Sequence, residues 1–110
     1  MLFARVVVGL AVSGPFDYIV PAELQQKIRP GSRVWVQFGP KKTLGYVVEL
    51  AAQSKIKNLK KISELIDESP VLDEFMLKLT RQLSEYYCCS WGEAIETALP
   101  ESLRRGKKID

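Results

Sequence analysis

A chain of 110 residues with 46% hydrophobic and 26% charged side chains has the make-up of one soluble globular domain, long enough for one core and too short for several. Its net charge of +3 is small, so binding to a polyanion must come from where the cations sit rather than from their sum. The chain has no histidine, its two cysteines are adjacent at 88 and 89, and no serine, cysteine or carboxylate pair has an evident base partner, which disfavours a zinc site, a routine structural disulfide and hydrolytic catalysis. No apolar run approaches bilayer length, and Met1 to Arg5 lacks the basic-then-apolar pattern of a signal peptide. A reducing, cytoplasmic location is the expectation.

Phe3 to Val8, a β-branched run interrupted by Arg5, reads as a first strand. Gly9 to Pro15 is punctuation, and Phe16 to Val20 reads as a short second strand or extended arm between Pro15 and Pro21. Ala22 to Ile28 has room for one helical turn. Arg29-Pro30-Gly31-Ser32 places Pro and Gly where a type II turn wants them. Arg33 to Phe38 alternates long polar and apolar side chains, which predicts a half-exposed strand. Gly39-Pro40-Lys41-Lys42 is a basic turn, and Leu44 to Leu50 returns as the other arm of a hairpin. One further strand is expected at Lys60 to Ile66.

Beyond Pro70 the pattern changes. Asp73 stands where a helix N-cap belongs, and Phe75, Met76, Leu79, Leu83, Tyr86 and Tyr87 recur at helical spacing, predicting an amphipathic helix over 74–88. Ser90 with Glu93 three residues on matches a capping box for a short helix over 91–98, stopped by Pro100. Tyr86, Tyr87 and Trp91 read as packing at the helix ends, and Cys88 and Cys89 as partly buried small hydrophobes. Strands first and helices second predict an α+β domain: a small, curved, mostly antiparallel sheet over residues 3–66 followed by two helices. The stretch 104–110 has no apolar periodicity. It reads as a linker, so the domain is expected to span 1–105 and the linker to begin at 106.

Charge is unevenly placed. Lys41, Lys42, Lys55, Lys57, Lys60 and Lys61 face only Glu49 between positions 41 and 61. Such asymmetry suits a polyanion-binding face, although solvated loops collect lysines as well. Asp17 is the anomaly, a carboxylate between the rings of Phe16 and Tyr18. It either satisfies turn amides or reads a ligand. Phe16 and Tyr18 fill the core or flank that ligand, and Trp35 is core or a stacking platform. Gly39 serves the turn, and Lys60 is an exposed lysine on a strand edge, unless both belong to the same site.

Phe16-Asp17-Tyr18, Pro21, the run Pro30 to Gly39 and Gly45-Tyr46-Val47-Val48 together resemble the amino-terminal DNA-binding domain of the primosomal protein N prime (PriA) family, the bacterial replication-restart helicases. Leu59-Lys60, Asp67, Pro70-Val71, Tyr86-Tyr87, Gly92 and Ala98-Leu99-Pro100 continue the match in order, over residues 3–105. The Cys88-Cys89 pair is no hallmark of that family. The resemblance implies a domain that binds the 3′ end of a DNA strand, such as the nascent leading strand at a stalled or branched fork. Carried over position by position, its pocket is Phe16, Asp17, Gly39 and Lys60, with Tyr18 beside them. Lys41, Lys42 and Lys61 are expected to add diffuse attraction to phosphates.

The family's motor and zinc segment, with their ATP, magnesium and zinc, are expected outside these 110 residues. No GxxxxGK[ST] occurs here, so neither enzymatic activity nor a cofactor is expected of this stretch. The implied partners are DNA 3′ termini and forked DNA, with other primosome proteins as further candidates. No membrane contact is expected, and the domain is expected to be monomeric. The rival reading is a protein-interaction module that docks on a helicase core or another primosome protein.

Overall fold

The computed structural model describes residues 1–67 and 69–104; the linker expected at 106–110 lies outside them. Five strands form one antiparallel sheet: β1 (Phe3–Val8), β2 (Phe16–Ile19), β3 (Arg33–Phe38), β4 (Lys41–Ala51) and β5 (Glu64–Leu65), in the spatial order β2-β1-β4-β3-β5. Three helices follow: α1 (Glu74–Tyr86), α2 (Trp91–Ala98) and a single turn, α3 (Glu101–Arg104). The α+β expectation holds, with a short 3-10 turn at Ala22–Leu24 in place of the turn expected over 22–28.

The sheet curls until its two edges meet. The segment ahead of β5 bridges β2 in parallel at Ile19 and Lys61: Ile19 N–H donates to the Lys60 carbonyl, and Ile62 N–H to the Ile19 carbonyl, both at 3.0 Å. One residue later, Ser63 N–H donates to the Trp35 carbonyl of β3 (2.8 Å). Residues 60–63 therefore stitch β2 to β3 and close the sheet into a small barrel. The strand expected at 60–66 is thus half seam and half β5, because a chain tied to two neighbours in turn cannot keep one ladder.

Strand alternation sorts side chains into two layers. Ala4, Val6 and Val8 of β1, Tyr18 of β2, Val34 and Val36 of β3, Val47 and Ile62 fill the barrel interior. The outer face carries Val7, Leu44 and Tyr46 under α1 and α2, where Leu72, Leu77, Ile95 and Leu99 meet them. Gly92 lets α2 lie directly on β1, since any side chain there would overlap the Val8 carbonyl oxygen.

Two expectations change on the outer face. Arg33 was expected on a half-exposed strand and is instead wholly buried, held by both Asp67 oxygens at 2.7 Å while its Nη1 donates to the Leu103 carbonyl (2.8 Å). The buried face of α1 is Leu77, Thr80 and Ser84, while Phe75, Tyr86 and Tyr87 are exposed. Thr80 and Ser84 satisfy their hydroxyls on carbonyls of their own helix. Two small polar residues can therefore be buried where an apolar count sees nothing, and Thr80 also accepts from Trp91 Nε1 (3.0 Å). Both helix starts are capped as expected: Met76 N–H donates to Asp73 Oδ1 (2.8 Å), and Ser90 and Glu93 form the reciprocal box. Cys88 and Cys89 are exposed free thiols rather than half-buried, lying just beyond the packed part of α1.

Candidate nucleic-acid interface

Phe16, Asp17, Gly39 and Lys60 come from three separate segments that meet at the barrel seam. Phe16 begins β2 and packs edge-to-face on Phe38 of β3, ring centres 5.0 Å apart. Gly39 follows Phe38 and, with Pro40, forms the two-residue turn into β4, since Phe38 pairs with Lys41. Its φ of +60° favours glycine, and the proline supplies the fixed negative φ that follows in such a hairpin turn. The hairpin is tighter than the four-residue basic turn expected, and Lys41 and Lys42 belong to β4. Open space surrounds Gly39 where a side chain would project.

Lys60 lies in the seam. Its carbonyl accepts from Ile19 N–H at 3.0 Å, which ties it to β2. Its side chain is exposed. Lys41, Lys42 and Lys61 are exposed as well, with Lys42 Nζ 5.5 Å from the centre of the Trp35 ring. Trp35 is half-buried against the outer cluster. It is therefore mainly packing, with the Lys42 cation over one face.

Tyr18 does not join this surface. It is 5% exposed within the barrel interior, and its hydroxyl donates to the Gln37 carbonyl (3.0 Å). Burial raises the pKa of its phenol. Alternation puts Phe16 and Tyr18 on the inner side, with Phe16 only partly buried at the margin of the interior cluster, and Asp17 on the outer side across from Arg5. The neighbour expected beside the pocket instead ties β2 to β3.

The Asp17 side chain is 14% exposed. Among the described residues no amide of its own turn donates to it. Ser54 Oγ donates to Oδ2 (2.5 Å), and Arg5 Nε stands 3.8 Å from Oδ1. Arg5 is the cross-strand partner of both Asp17 and Glu49, and its Nη1 donates to Glu49 Oε2 (2.8 Å). The turn-capping alternative for Asp17 is therefore not what the fold builds. Ser54, Arg5 and Glu49 were missed in the sequence, where nothing shows that a loop hydroxyl 37 residues away reaches this carboxylate.

A cleft of about 850 Å³ opens nearby between the outer sheet face and α1. Its cations Arg5, Lys78 and Arg81 are matched by Glu49, Asp73 and Glu74, and its floor includes Leu77 and Trp91. Balanced charge makes it a poor surface for a polyanion. The lysines of the seam and hairpin, in contrast, have few acids beside them. Among the described residues no group of three or more metal-ligating side chains is gathered, and no helix is long and apolar enough to cross a membrane.

A family model described as the 3′DNA-binding domain (3′BD) matches residues 5–100. The chain is 35% identical over 109 residues to the replication restart protein PriA of Bacillus subtilis (strain 168), covering 94% of this chain and 14% of that protein. It is 30% identical over 100 residues to PriA of Rickettsia conorii, covering 91% and 15%, and 29% identical over 99 residues to PriA of Chlamydia pneumoniae, covering 90% and 13%. The chain thus spans roughly one seventh of the length of these relatives.

Proposed function

Because the chain belongs to the PriA 3′DNA-binding domain family, we propose that its barrel seam captures the 3′-hydroxyl end of a DNA strand, without regard to base, and so directs a replication-restart helicase to nascent strands at stalled or branched forks. The observation that carries this reading is the Asp17 carboxylate: Ser54 Oγ holds Oδ2, and among the described residues Oδ1 has no donor closer than Arg5 Nε at 3.8 Å. Its strand meets the hairpin through Phe16 and Phe38 and the seam through Ile19 and Lys60.

A carboxylate in a DNA site opposes phosphate, and phosphates supply most of the affinity. It is tolerable only if it accepts a proton that the correct ligand offers. A terminal 3′-hydroxyl is such a donor, and an ionised Asp is acceptor-only. A strand that continues has a phosphodiester there, with no proton and a like charge. A charge-assisted hydrogen bond nets about 1.5–3 kcal/mol, which is about one to two decades of preference for ends. The edge of the Phe16–Phe38 pair offers a π surface to any base, Gly39 leaves the backbone approachable, and Lys60 places a point charge for the adjoining phosphate. Lys41, Lys42 and Lys61 add salt-sensitive attraction. End capture of this kind needs no metal or nucleotide cofactor from this domain. ATP, magnesium and zinc belong to the remainder of a full-length helicase, and the domain acts as a monomer.

Matched short single strands ending in 3′-hydroxyl or 3′-phosphate, titrated at one salt concentration, test the reading. The hydroxyl form should bind at least about tenfold more tightly; equal affinities would refute it. A second reading, a module that docks on the helicase core or another primosome protein, is favoured by the exposed Phe75, Tyr86 and Tyr87 and by the charge-balanced cleft. It predicts NMR shifts along α1 on adding that partner, and none near Phe16 on adding an oligonucleotide.

A further inference from the structure

The surroundings of Asp17 carry more than its exposure alone. Ser54 Oγ accepts from Ile56 N–H (3.2 Å) while donating to Asp17 Oδ2. A hydroxyl has one proton, and the amide bond from Ile56 directs that proton toward Oδ2. The carboxylate is thereby clamped at one oxygen, and Oδ1 is left with Arg5 Nε at 3.8 Å, too far for a hydrogen bond.

Arg5 is the natural competitor for Oδ1. It sits directly across from Asp17 on β1, and a guanidinium fork closes readily onto a carboxylate with two bonds. Glu49 draws the guanidinium the other way, accepting from Arg5 Nη1 at 2.8 Å. Glu49 faces Arg5 because the β1–β4 register slips between Arg5 and Val6. Val6 pairs with Val47 and Arg5 with Glu49, so Val48 is the extra residue of a β-bulge. Plain alternation would turn Glu49 toward the barrel interior; the bulge turns it onto the face of Arg5.

We propose that Ser54 and Glu49 are positioning residues for end recognition: Ser54 fixes Asp17 through Oδ2, and Glu49 holds Arg5 back, so that Oδ1 stays open as the acceptor for a 3′-hydroxyl. The proposal rests on the reading of Asp17 given above. It assigns an acidic residue at the edge of a DNA site a role that general electrostatics does not. Removing the charge of Glu49 weakens repulsion of every strand, yet it also frees Arg5 to close on Asp17. Overall affinity and end selectivity then move in opposite directions, which a purely structural or purely long-range role does not produce.

The test compares strands ending in 3′-hydroxyl with the same strands ending in a 2′,3′-dideoxynucleotide, which lacks the hydroxyl and adds no charge. Wild type, Ser54→Ala, Ser54→Thr and Glu49→Gln are titrated at fixed salt, with thermal melts to show that each is folded. In wild type the hydroxyl strand should bind roughly tenfold or more tightly. Ser54→Ala should shrink that ratio roughly three- to tenfold and Ser54→Thr should largely restore it. Glu49→Gln should raise affinity for both strands while shrinking the ratio. A wild-type ratio that survives unchanged in folded Ser54→Ala and Glu49→Gln overturns the positioning roles and leaves Asp17 as reader. No ratio in wild type overturns the reading of Asp17 and this proposal with it.

Discussion

Two Arg–Asp pairs lie on the outer face of this small barrel, and they are built for opposite ends. Arg33 and Asp67 meet through two bonds of 2.7 Å in full burial, with a third bond from Arg33 to the Leu103 carbonyl. Arg5 and Asp17 stand 3.8 Å apart with the arginine side chain 40% exposed, each drawn toward another partner, Glu49 and Ser54. The first pair is shut away from any ligand by its burial and ties β3, the segment after β5 and α3 together. The second keeps an acceptor in reserve. An ion pair's residue types therefore say little about its role; its burial and the closeness of its pairing say more.

Breaking the buried pair should produce the largest effect. Asp67→Ala leaves a buried guanidinium without its carboxylate, and should destabilise the fold by about 3–5 kcal/mol, against a total of about 5–15 kcal/mol for a domain. Urea unfolding measures this, and a loss below about 1 kcal/mol would mean that water reaches Arg33. Asp17→Ala should instead cost about 1 kcal/mol of stability or less, since Arg5 is 40% exposed and stands 3.8 Å away, while reducing the preference for 3′-hydroxyl over 3′-phosphate by about a decade or more. A large fall in stability there would place Asp17 among the structural pairs.

Lys60→Ala sharpens the contrast from the ligand's side. It should weaken hydroxyl- and phosphate-ended strands alike and lower the salt slope of binding by about one unit. An unchanged slope would remove Lys60 from phosphate contact.

The smallest effect concerns Glu96, a half-buried carboxylate that accepts from the Tyr46 hydroxyl at 3.2 Å. Its pKa lies above the ordinary 4.5, chiefly because burial penalises the charged form, with the Tyr46 bond and Arg104 opposing. Burial, then Glu96, likewise raises Tyr46. The folded state therefore holds the Glu96 proton more tightly than the unfolded chain does. The stability this contributes is complete below pH 4.5 and is lost as pH rises through the folded pKa. Glu96→Gln should flatten that part of the stability–pH curve; a curve of unchanged shape would contradict the assignment.

Strand positions and helix starts were readable because they rest on local signals. Alternation in Phe3 to Val8, the Gly39-Pro40 turn, the Asp73 cap and the Ser90–Glu93 box each need only a few neighbouring residues. Barrel closure was not readable, since Ile19 and Lys61 are 42 positions apart and joined through backbone atoms. Arg33 misled because a charged residue in an alternating strand looks solvent-facing until Asp67 is placed beside it. Of the candidate site, Phe16, Asp17, Gly39 and Lys60 were named from family resemblance alone; β2 touches the hairpin through Phe16 and Phe38 and the seam through Ile19 and Lys60. Tyr18 went inward by simple alternation, which the sequence already contained. Ser54 and Glu49 depend on a loop position and a bulge, and neither has a local signature.

The most direct measurement is a crystal structure of this domain with a short single strand ending in a 3′-hydroxyl. The terminal 3′ oxygen should lie about 2.5–2.7 Å from Asp17 Oδ1, with Ser54 still on Oδ2 and the last base against Phe16. A strand that passes the seam without ending there, or that ends with its hydroxyl away from Asp17, would contradict the account.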